Sequence, residues 1–445
     1  MSQRSGRQRK RDDEDDGMST AGKVVLGVAA AAAGAAIGYF GSRLLSSWLS
    51  EPEDEKQMKC KASESDSSKS DDSKLPSKDN TMNKSDAHYT APHVNTTSKQ
   101  ADVVQLSLHE QLLQYYQQYV DIPADKMQAA QKVADEVSLA VRSRLRDPTT
   151  FRDVALKIGD LVSFGSVTEG LQVIRPSCFD IMIPVMLGSQ CHAQEAVVAG
   201  RKVPGKFVIV LADDGTGKYD DGNLCDEDRQ LDTRKLVDVL QVAVQKCAEG
   251  VSGYHCLTSE NVTSVSVAAY VDGCDKVTVN FVPFVIIENR LFLPAARPAW
   301  LSEQSDSLVG LWMESFVRQE KWSIDRFDSS VSGHLIVLKI LKAIRLNHLD
   351  QFGVLSSYHL KLLLFHVLED LPDSCDWDRN AVGERLIDLM TKLAEVLREQ
   401  HMPHYFEQNV NILQDVPLET CHGLAKFLEK KLAYNDITSL LKRDY

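Results

Sequence analysis

A run of residues without a charged side chain, 24–42, constrains this 445-residue chain more than any other feature. It reads VVLGVAAAAAGAAIGYFGS, with Lys23 before it and Arg43 after it. About 20 residues of helix cross the hydrocarbon core of a bilayer. The run therefore predicts one transmembrane helix within residues 21–49, with Trp48 as an interfacial anchor. A cleaved signal peptide or an Ala-rich soluble helix is the alternative, but the long acidic tail ahead of the run is a poor match to a signal peptide.

The segments on either side of this run are polar. Residues 1–20 join a basic block to an acidic one, and residues 50–101 are rich in Ser, Asp, Lys and Glu, as in SESDSSKSDDSK. Segments with so few apolar residues cannot bury a core, so both are predicted to be disordered. More basic residues precede the run than follow it, which favours a cytosolic tail under the positive-inside rule. Anchors of the mitochondrial outer membrane leave the bulk of the chain in the cytosol instead, so sequence arithmetic leaves the orientation open.

The net charge and the cysteines limit which functions and which compartment are expected for this protein. The 63 acidic residues against 50 basic ones give a net charge of −13, which weighs against binding to nucleic acid. Nine cysteines are scattered without a CxxC pair, so no metal knuckle is visible. This scatter favours reduced thiols in a domain that faces the cytosol.

Periodicity in residues 102–445 changes twice along the chain. Helical patterns come first, strand-like runs such as LQVIR (171–175), FDIMIPVML and KVTVNFVPFVII follow, and the C-terminal third is helical again. Strands followed by helices predict an α+β fold. We therefore expect a mixed-sheet lobe at 102–310 and a helical lobe at 311–445.

One stretch carries recognisable chemistry. Gly165-Ser166 is followed by a strand-like run that begins Cys178-Phe179-Asp180. A Gly-Ser turn that opens a helix can hold phosphate through its backbone N–H groups and hydroxyl. Alternate positions of a strand share one face, and two carboxylates there, with a third from a distant strand, hold two Mg²⁺ ions in nucleotidyl transfer.

The arrangement resembles the superfamily of nucleotidyltransferases that includes Mab-21 and cyclic GMP-AMP synthase. The resemblance spans most of residues 105–445 and includes LKILKAI (338–344), SSYHLK (356–361) and the segment from Pro403 to Asn411. It implies a two-lobed nucleotidyltransferase-like fold, a mixed-sheet lobe plus a helical C-terminal lobe, behind one N-terminal transmembrane helix.

The sequence departs from that superfamily at its metal-binding positions. The family's strand carries acid–apolar–acid and its distant acid falls in VTVNFVPFV, whereas Cys178 and Asn280 stand at two of the three positions here. A thiol and an amide do not replace hard oxygen anions as ligands of Mg²⁺. We therefore expect no catalytic residues, no metal site and no nucleotidyltransferase activity.

Within the superfamily the chain resembles the mitochondrial dynamics proteins, which are outer-membrane receptors for the dynamin-related fission GTPase. The likeness lies in the layout, the anchor run, SLHEQLL at 107–113, Asn280-Phe281-Val282-Pro283 and Leu311-Trp312. It implies a single-pass adaptor in the mitochondrial outer membrane, with the bulk of the chain facing the cytosol. Its role would be to recruit the fission GTPase and to regulate fission and fusion, and self-association is a further expectation.

The same resemblance implies a nucleotide site that requires no cofactor and takes ADP or another nucleotide without Mg²⁺. Ser166 would contact phosphate, Ser315 and Lys342 would line the far side, and Tyr358 would stack on the base. The alternatives are a helix cap for Ser166, a solvated charge for Lys342 and a core aromatic for Tyr358. Glu169 is expected on the surface. The full candidate set is Gly165, Ser166, Cys178, Asp180, Ser315, Lys342, Ser357 and Tyr358.

The docking surface for the GTPase is expected in the acidic loop DDGTGKYDDGNLCDEDRQ, residues 213–230. Long polar loops in compact domains are often functional. A merely solvated loop is the equally weighted alternative. The candidate partner-binding residues are Asp213, Lys218, Tyr219, Asp220 and Asp221.

Two other functions remain open from the sequence. One is an active cyclic-dinucleotide synthase of the cyclase-like receptor group, which Cys178 and Asn280 oppose. The other is a membrane protein of the inositol-trisphosphate-receptor-interacting type. Glycosylation at Asn261 would favour that alternative, because it would place the domain outside the cytosol.

Overall fold

The computed structural model describes residues 106–441 except 148, 152–155, 188–189, 199, 213–223, 252–254, 262, 271–275, 299–309 and 328–331. The predicted transmembrane helix (21–49) and its polar flanks (1–20 and 50–101) lie outside the described residues. Within the described part of the chain, no helix is both long enough and apolar enough to cross a membrane.

Most helices of the described chain lie at its beginning or in its C-terminal third. The helices are α1 (Leu108–Tyr115), which continues as a π-helix (Tyr116–Val120), α2 (Ala124–Leu145), α3 (Thr233–Ala248), α4 (Val317–Ile324), α5 (Gly333–Asn347), α6 (Leu349–Phe352), α7 (Ser357–Asp370), α8 (Val382–Glu399) and α9 (Leu418–Ala433), with 3₁₀ turns at Ser374–Trp377, Arg379–Ala381 and Ile437–Leu441. Local sequence explains several of the ends: Ser107 and Ser356 each form a capping box at a helix start.

The strands between them form one mixed sheet. They are β1 (Lys157–Ile158), β2 (Val162–Phe164), β3 (Cys178–Met186), β4 (Cys191–Val198), β5 (Arg201–Leu211), β6 (His255–Asn261), β7 (Ser264–Tyr270), β8 (Val277–Ile287), β9 (Arg290–Ala295) and β10 (Leu311–Ser315). Their order is β1-β3-β8-β9-β10-β5-β4, with β2 added to β3 and the β6–β7 hairpin added to β8. Of the strand pairs described, β3 and β8 run parallel and the rest antiparallel.

Two large hydrophobic cores contain most of the buried apolar side chains. One lies between the sheet and helices α2 and α3, and includes Phe179, Phe281 and Trp312. The other is mainly helical and includes Leu386, Met390 and Leu393 from one face of α8. The predicted α+β class, with a mixed sheet and a helical C-terminal region, is therefore confirmed.

Three elements differ from the sequence expectation. The strand β10, at Leu311–Ser315, belongs to the sheet although the sequence analysis places the helical lobe from residue 311. Helix α1 contributes Leu112 to the helical core, although the sequence places residues 102–310 in the sheet lobe. The prediction of a strand at 171–175 is wrong: Ile174 has φ +68° and its N–H bonds to the Val120 carbonyl, so the segment is irregular and is tied to α1's π-helical extension.

Candidate functional site

The parallel register of β3 and β8 assembles the three positions that carry metal-binding acids in the resembled superfamily. Asp180 lies directly beside Asn280, and Cys178 lies beside Thr278. In β8 the buried residues alternate with half-buried ones, which places Asn280 on the face turned away from the sheet core. Cys178, Asp180 and Asn280 therefore meet on one face, as their spacing predicts.

The amide of Asn280 occupies the centre of this group. Its Nδ2 donates to the Cys178 Sγ at 3.0 Å and to the Asp180 Oδ1 at 2.8 Å. The Ser266 hydroxyl donates to the Asn280 Oδ1 at 2.7 Å. Both N–H groups of the amide thus point at the atoms that would otherwise face a cation.

Burial shapes the ionisation of this group. It raises the pKa of the Asp180 carboxyl above its ordinary value, although the hydrogen bond from Asn280 acts the other way. Burial, followed by the charge of Asp180, raises the pKa of the Cys178 thiol to about 11, so the thiol is protonated at neutral pH. A protonated thiol and an amide N–H are donors rather than cation ligands, so these residues do not fit a pair of Mg²⁺ ions.

The described part of the chain offers no alternative metal site. Among the residues that the structure describes, no three His, Cys, Asp or Glu side chains are grouped so that they could hold a metal ion.

The Gly-Ser turn lies against this group because β2 pairs with β3, placing Phe164 opposite Asp180. Gly165 follows at φ +75°, and a Cβ at this position would lie 3.0 Å from the Asp180 Oδ2. The expected helix after Ser166 does not form. Residues 165–170 are instead a series of turns, held by the Glu169 N–H to the Gly165 carbonyl and the Leu171 N–H to the Ser166 carbonyl.

Lys342 reaches the end of the same turn from α5. Its Nζ donates to the Leu171 carbonyl, and the side chain is buried. Burial lowers the pKa of the Lys342 ammonium to about 8, while the charge of Glu169 raises it and three nearby cations lower it further. The interpretation of Lys342 as a solvated helix charge is therefore wrong, and the structure places this cation beside the Gly165–Gly170 turn.

Glu169 is not a surface residue either, which corrects the sequence expectation. Only 3% of its side chain is exposed, and its two carboxylate oxygens accept from the Lys361 Nζ at 3.1 and 3.2 Å. The same Nζ donates to the Glu320 Oε2 at 2.6 Å. Burial alone would lower the pKa of Lys361, but the carboxylates of Glu320 and Glu169 outweigh it and raise the pKa above its ordinary value.

Tyr358 joins this charged group at Glu320. Its hydroxyl donates to the Glu320 Oε1 at 2.8 Å and lies 2.9 Å from the His404 Nε2. Burial, and then the charge of Glu320, raises the pKa of the Tyr358 phenol. The ring of Tyr358 is half-buried in the helical lobe and lies under the Lys361 ammonium, with 5.5 Å between Nζ and the ring centroid.

The structure does not bring every candidate residue together. Ser315 is half-buried at the end of β10 and Ser357 is exposed at the start of α7. Within the described part of the chain, no hydrogen bond joins either serine to the other candidates. The five candidate partner-binding residues, Asp213, Lys218, Tyr219, Asp220 and Asp221, lie outside the described residues.

Sequence reasoning missed four residues of this region: Glu169, Glu320, Lys361 and His404. One signal could have pointed to Lys361. It interrupts an apolar helical run, Leu360 to Phe365, and a lone charge in such a run indicates a buried partner. Its partners are 41 and 192 residues away along the chain, so no local pattern could identify them.

The sheet, the turn beside Asp180 and the helical lobe together have the layout of a nucleotidyltransferase-like protein. Residues 334–430 match the family model of the Mab-21 protein HhH/H2TH-like domain. The match covers α5 to α9, and it supports membership of the chain in the superfamily of Mab-21 and cyclic GMP-AMP synthase-like proteins. The mixed sheet with its helical C-terminal region fits a Mab-21-like fold.

Proposed function

We propose that this chain is a non-catalytic, nucleotidyltransferase-like binding module that serves as a membrane-anchored adaptor. The observation that carries the proposal is the position of the Asn280 amide, which donates to both Cys178 and Asp180. Two-metal nucleotidyl transfer needs anionic oxygens around both ions. Here one carboxylate remains, its pKa is raised by burial, and two donor groups face it.

The proposed ligand is ADP or another nucleotide, bound without Mg²⁺. The Gly165–Gly170 turn leaves the Asp180 side of the site free of a Cβ, and Lys342 supplies a buried cation at its far end. A cation in a low-dielectric environment attracts phosphate more strongly than one in water. These features support a phosphate group near the turn, held by the protein's own charges.

The proposed cellular role is recruitment of a dynamin-related GTPase to the mitochondrial outer membrane, with consequences for fission and fusion. Its support is the resemblance in the uncharged run at 24–42, the polar linker and the overall layout. Tethering to a membrane raises the local concentration of a receptor, so a weak individual contact is sufficient for recruitment.

Product formation tests the non-catalytic part of the proposal. Purified protein is incubated with ATP, GTP and Mg²⁺, and products are separated by chromatography with an active cyclase as a positive control. We expect no cyclic dinucleotide and no linear transfer product. Metal-dependent product from the wild-type chain would instead establish the cyclic-dinucleotide synthase alternative.

Localisation tests the adaptor part. A C-terminally tagged chain is imaged in cells, and protease is added after selective permeabilisation of the plasma membrane. We expect a mitochondrial rim, a digestible tag, and recruitment of the GTPase that is lost when residues 213–223 are deleted, a deletion that keeps the buried Leu224 and Cys225. A reticular or surface pattern with a protected tag, together with glycosylation at Asn261, would favour the receptor-interacting alternative.

A further inference from the structure

A buried chain of polar groups connects the Gly165–Gly170 turn to the helical lobe. Its centre is the Lys361 ammonium on α7, which lies between Glu169 of the turn and Glu320 of α4. The exposed fractions of these side chains are 11%, 3% and 8%. The candidate nucleotide site does not need any of the three as a contact, so their burial calls for a separate explanation.

The far end of the chain is fixed by a defined histidine tautomer. The Phe406 N–H donates to the His404 Nδ1 at 3.3 Å, so Nδ1 is the acceptor and Nε2 carries the proton. His404 Nε2–H then donates to the Tyr358 oxygen, and the Tyr358 hydroxyl donates to Glu320. Each member of the chain is thus satisfied, from the backbone at Phe406 to the carboxylate in the turn.

A second lysine holds the same, C-terminal end of the turn. Lys342 of α5 donates to the Leu171 carbonyl, one residue beyond Gly170. Two helices of the helical lobe therefore hold the turn, one through the Glu169 side chain and one through the backbone. Within the turn, the described hydrogen bonds are local: Glu169 N–H and the Thr168 hydroxyl to the Gly165 carbonyl, Gly170 N–H to Val167 and Leu171 N–H to Ser166.

Buried ion pairs are a poor source of stability. Desolvation of the charges offsets most of their attraction, and well-packed apolar residues often stabilise a fold equally well. Their better-attested use is to specify one arrangement among alternatives. A turn with positive φ at both Gly165 and Gly170 has such alternatives.

We propose that Lys361 is a positioning residue for the candidate site: by bridging Glu169 and Glu320, it fixes the Gly165–Gly170 turn beside Asp180. The inference rests on the proposed function, because the ligand it would serve is the proposed nucleotide. It makes the helical lobe responsible for the shape of a site that lies mainly on the sheet lobe.

Hydrogen exchange of the unliganded protein, followed by mass spectrometry, tests the inference. The variants are Lys361→Met, Lys361→Arg and Glu169→Gln, with Lys392→Met as the control because Lys392 pairs with Asp370 on the surface. We expect peptides covering 165–171 to exchange about tenfold faster in Lys361→Met and Glu169→Gln, and α8 to stay unchanged in Glu169→Gln. Lys361→Arg should restore most of the protection, and the control should match the wild type.

Two results would overturn the inference. One is unchanged exchange of the turn in Glu169→Gln, which keeps the Lys361–Glu320 pair and is the variant most certain to fold. The other is faster exchange of α8 to the same degree as the turn in Glu169→Gln, which would show a general structural role.

A titration with ADP separates this inference from the proposed function. We expect Lys361→Met to weaken ADP binding about tenfold and Lys361→Arg to restore it. Equal binding by wild type and Lys361→Met, with a loosened turn, would overturn the positioning role. If the wild type binds no ADP, the proposed nucleotide fails, and the exchange of the turn still decides whether Lys361 fixes it.

Discussion

At the scale of single residues, the main feature of this protein is a site whose polar groups satisfy one another. Asn280 gives both of its amide hydrogens to Cys178 and Asp180, and Lys361 gives its hydrogens to two carboxylates. Satisfied buried groups are rigid and costly to disrupt. Single substitutions at these residues should therefore have large and specific effects.

Removal of the Lys361 charge should destabilise the fold strongly. Lys361→Met leaves Glu169 and Glu320 buried without a cation, so we expect the free energy of unfolding to fall by about 3–5 kcal/mol. Lys392→Met removes an exposed pair with Asp370, and the expected change is about 0–1 kcal/mol. Urea unfolding followed by circular dichroism measures both. Equal losses in the two variants would contradict the burial of the Lys361 group.

The Cys178 thiol should react slowly with alkylating reagents. With a pKa of about 11, about one thiol in a thousand is ionised at pH 8, and the thiolate is the reactive form. Cys375 is exposed and serves as the internal reference. Timed iodoacetamide labelling with peptide mass spectrometry should modify Cys375 before Cys178. Labelling of Cys178 at the same rate would contradict the described environment.

At the scale of elements, sequence patterns predicted those parts of the site that depend on local periodicity. The alternation in β3 and β8 put Cys178, Asp180 and Asn280 on one face. Patterns did not predict that residues 165–170 would be turns rather than a helix, or that Glu169 would be buried. The lysines that contact this segment, Lys342 and Lys361, come from distant helices, and a short window of sequence contains no information about such partners.

The Gly165 conformation gives a prediction about the turn. An L-residue at φ +75° is strained, and its Cβ would meet the Asp180 Oδ2, so Gly165→Ala should cost about 1–2 kcal/mol. Gly423 is exposed inside α9 with no atom near its would-be Cβ. Gly423→Ala should therefore stabilise the fold by about 0.5–1 kcal/mol. The midpoint temperatures of thermal unfolding should shift in opposite directions for the two variants. A shift in the same direction would contradict this geometry.

At the scale of the whole molecule, the sequence predicts the fold class better than it predicts the boundary between the two hydrophobic cores. The order of strand-like and helical patterns gave the α+β class. The predicted boundary between the sheet lobe and the helical lobe, at residue 310, was less accurate. Strand β10 belongs to the sheet although it follows this boundary, and α1 contributes to the helical core although it lies at the start of the folded chain. Such exchanges between lobes are long-range, so local sequence patterns do not predict them.

Acid should destabilise the molecule through buried histidines. Burial lowers the pKa of His334, His359 and His404 below the ordinary value of about 6.5. Below that value the unfolded chain binds protons that the folded chain does not. Stability is therefore complete above about pH 6.5 and decreases as pH falls through it toward the lowered folded-state values.

A pair of histidine variants checks this pH dependence. His334 packs against the rings of Phe327 and Trp377, so His334→Phe should reduce the fall in urea midpoint between about pH 7.5 and 5. His401 is exposed, and His401→Phe should leave that fall unchanged. Burial raises the pKa of Asp180 and Glu407, and these carboxyls make stability increase as pH falls, which is opposite to the effect of the histidines. The comparison between variants, and not the pH dependence of one protein, therefore tests His334. Equal slopes for all three proteins would contradict a role for His334.

The most direct test of the central claim is a calorimetric titration of the wild-type protein with ADP, in EDTA and again in excess Mg²⁺. The site lacks the anionic oxygens that a metal-bound nucleotide would need around Asp180, and Lys342 and the Gly165–Gly170 turn would hold the phosphates. We predict saturable binding in EDTA with the same affinity, within about threefold, in Mg²⁺. Binding that appears only with Mg²⁺ would contradict the account, because it would show that Cys178, Asp180 and Asn280 hold a metal after all.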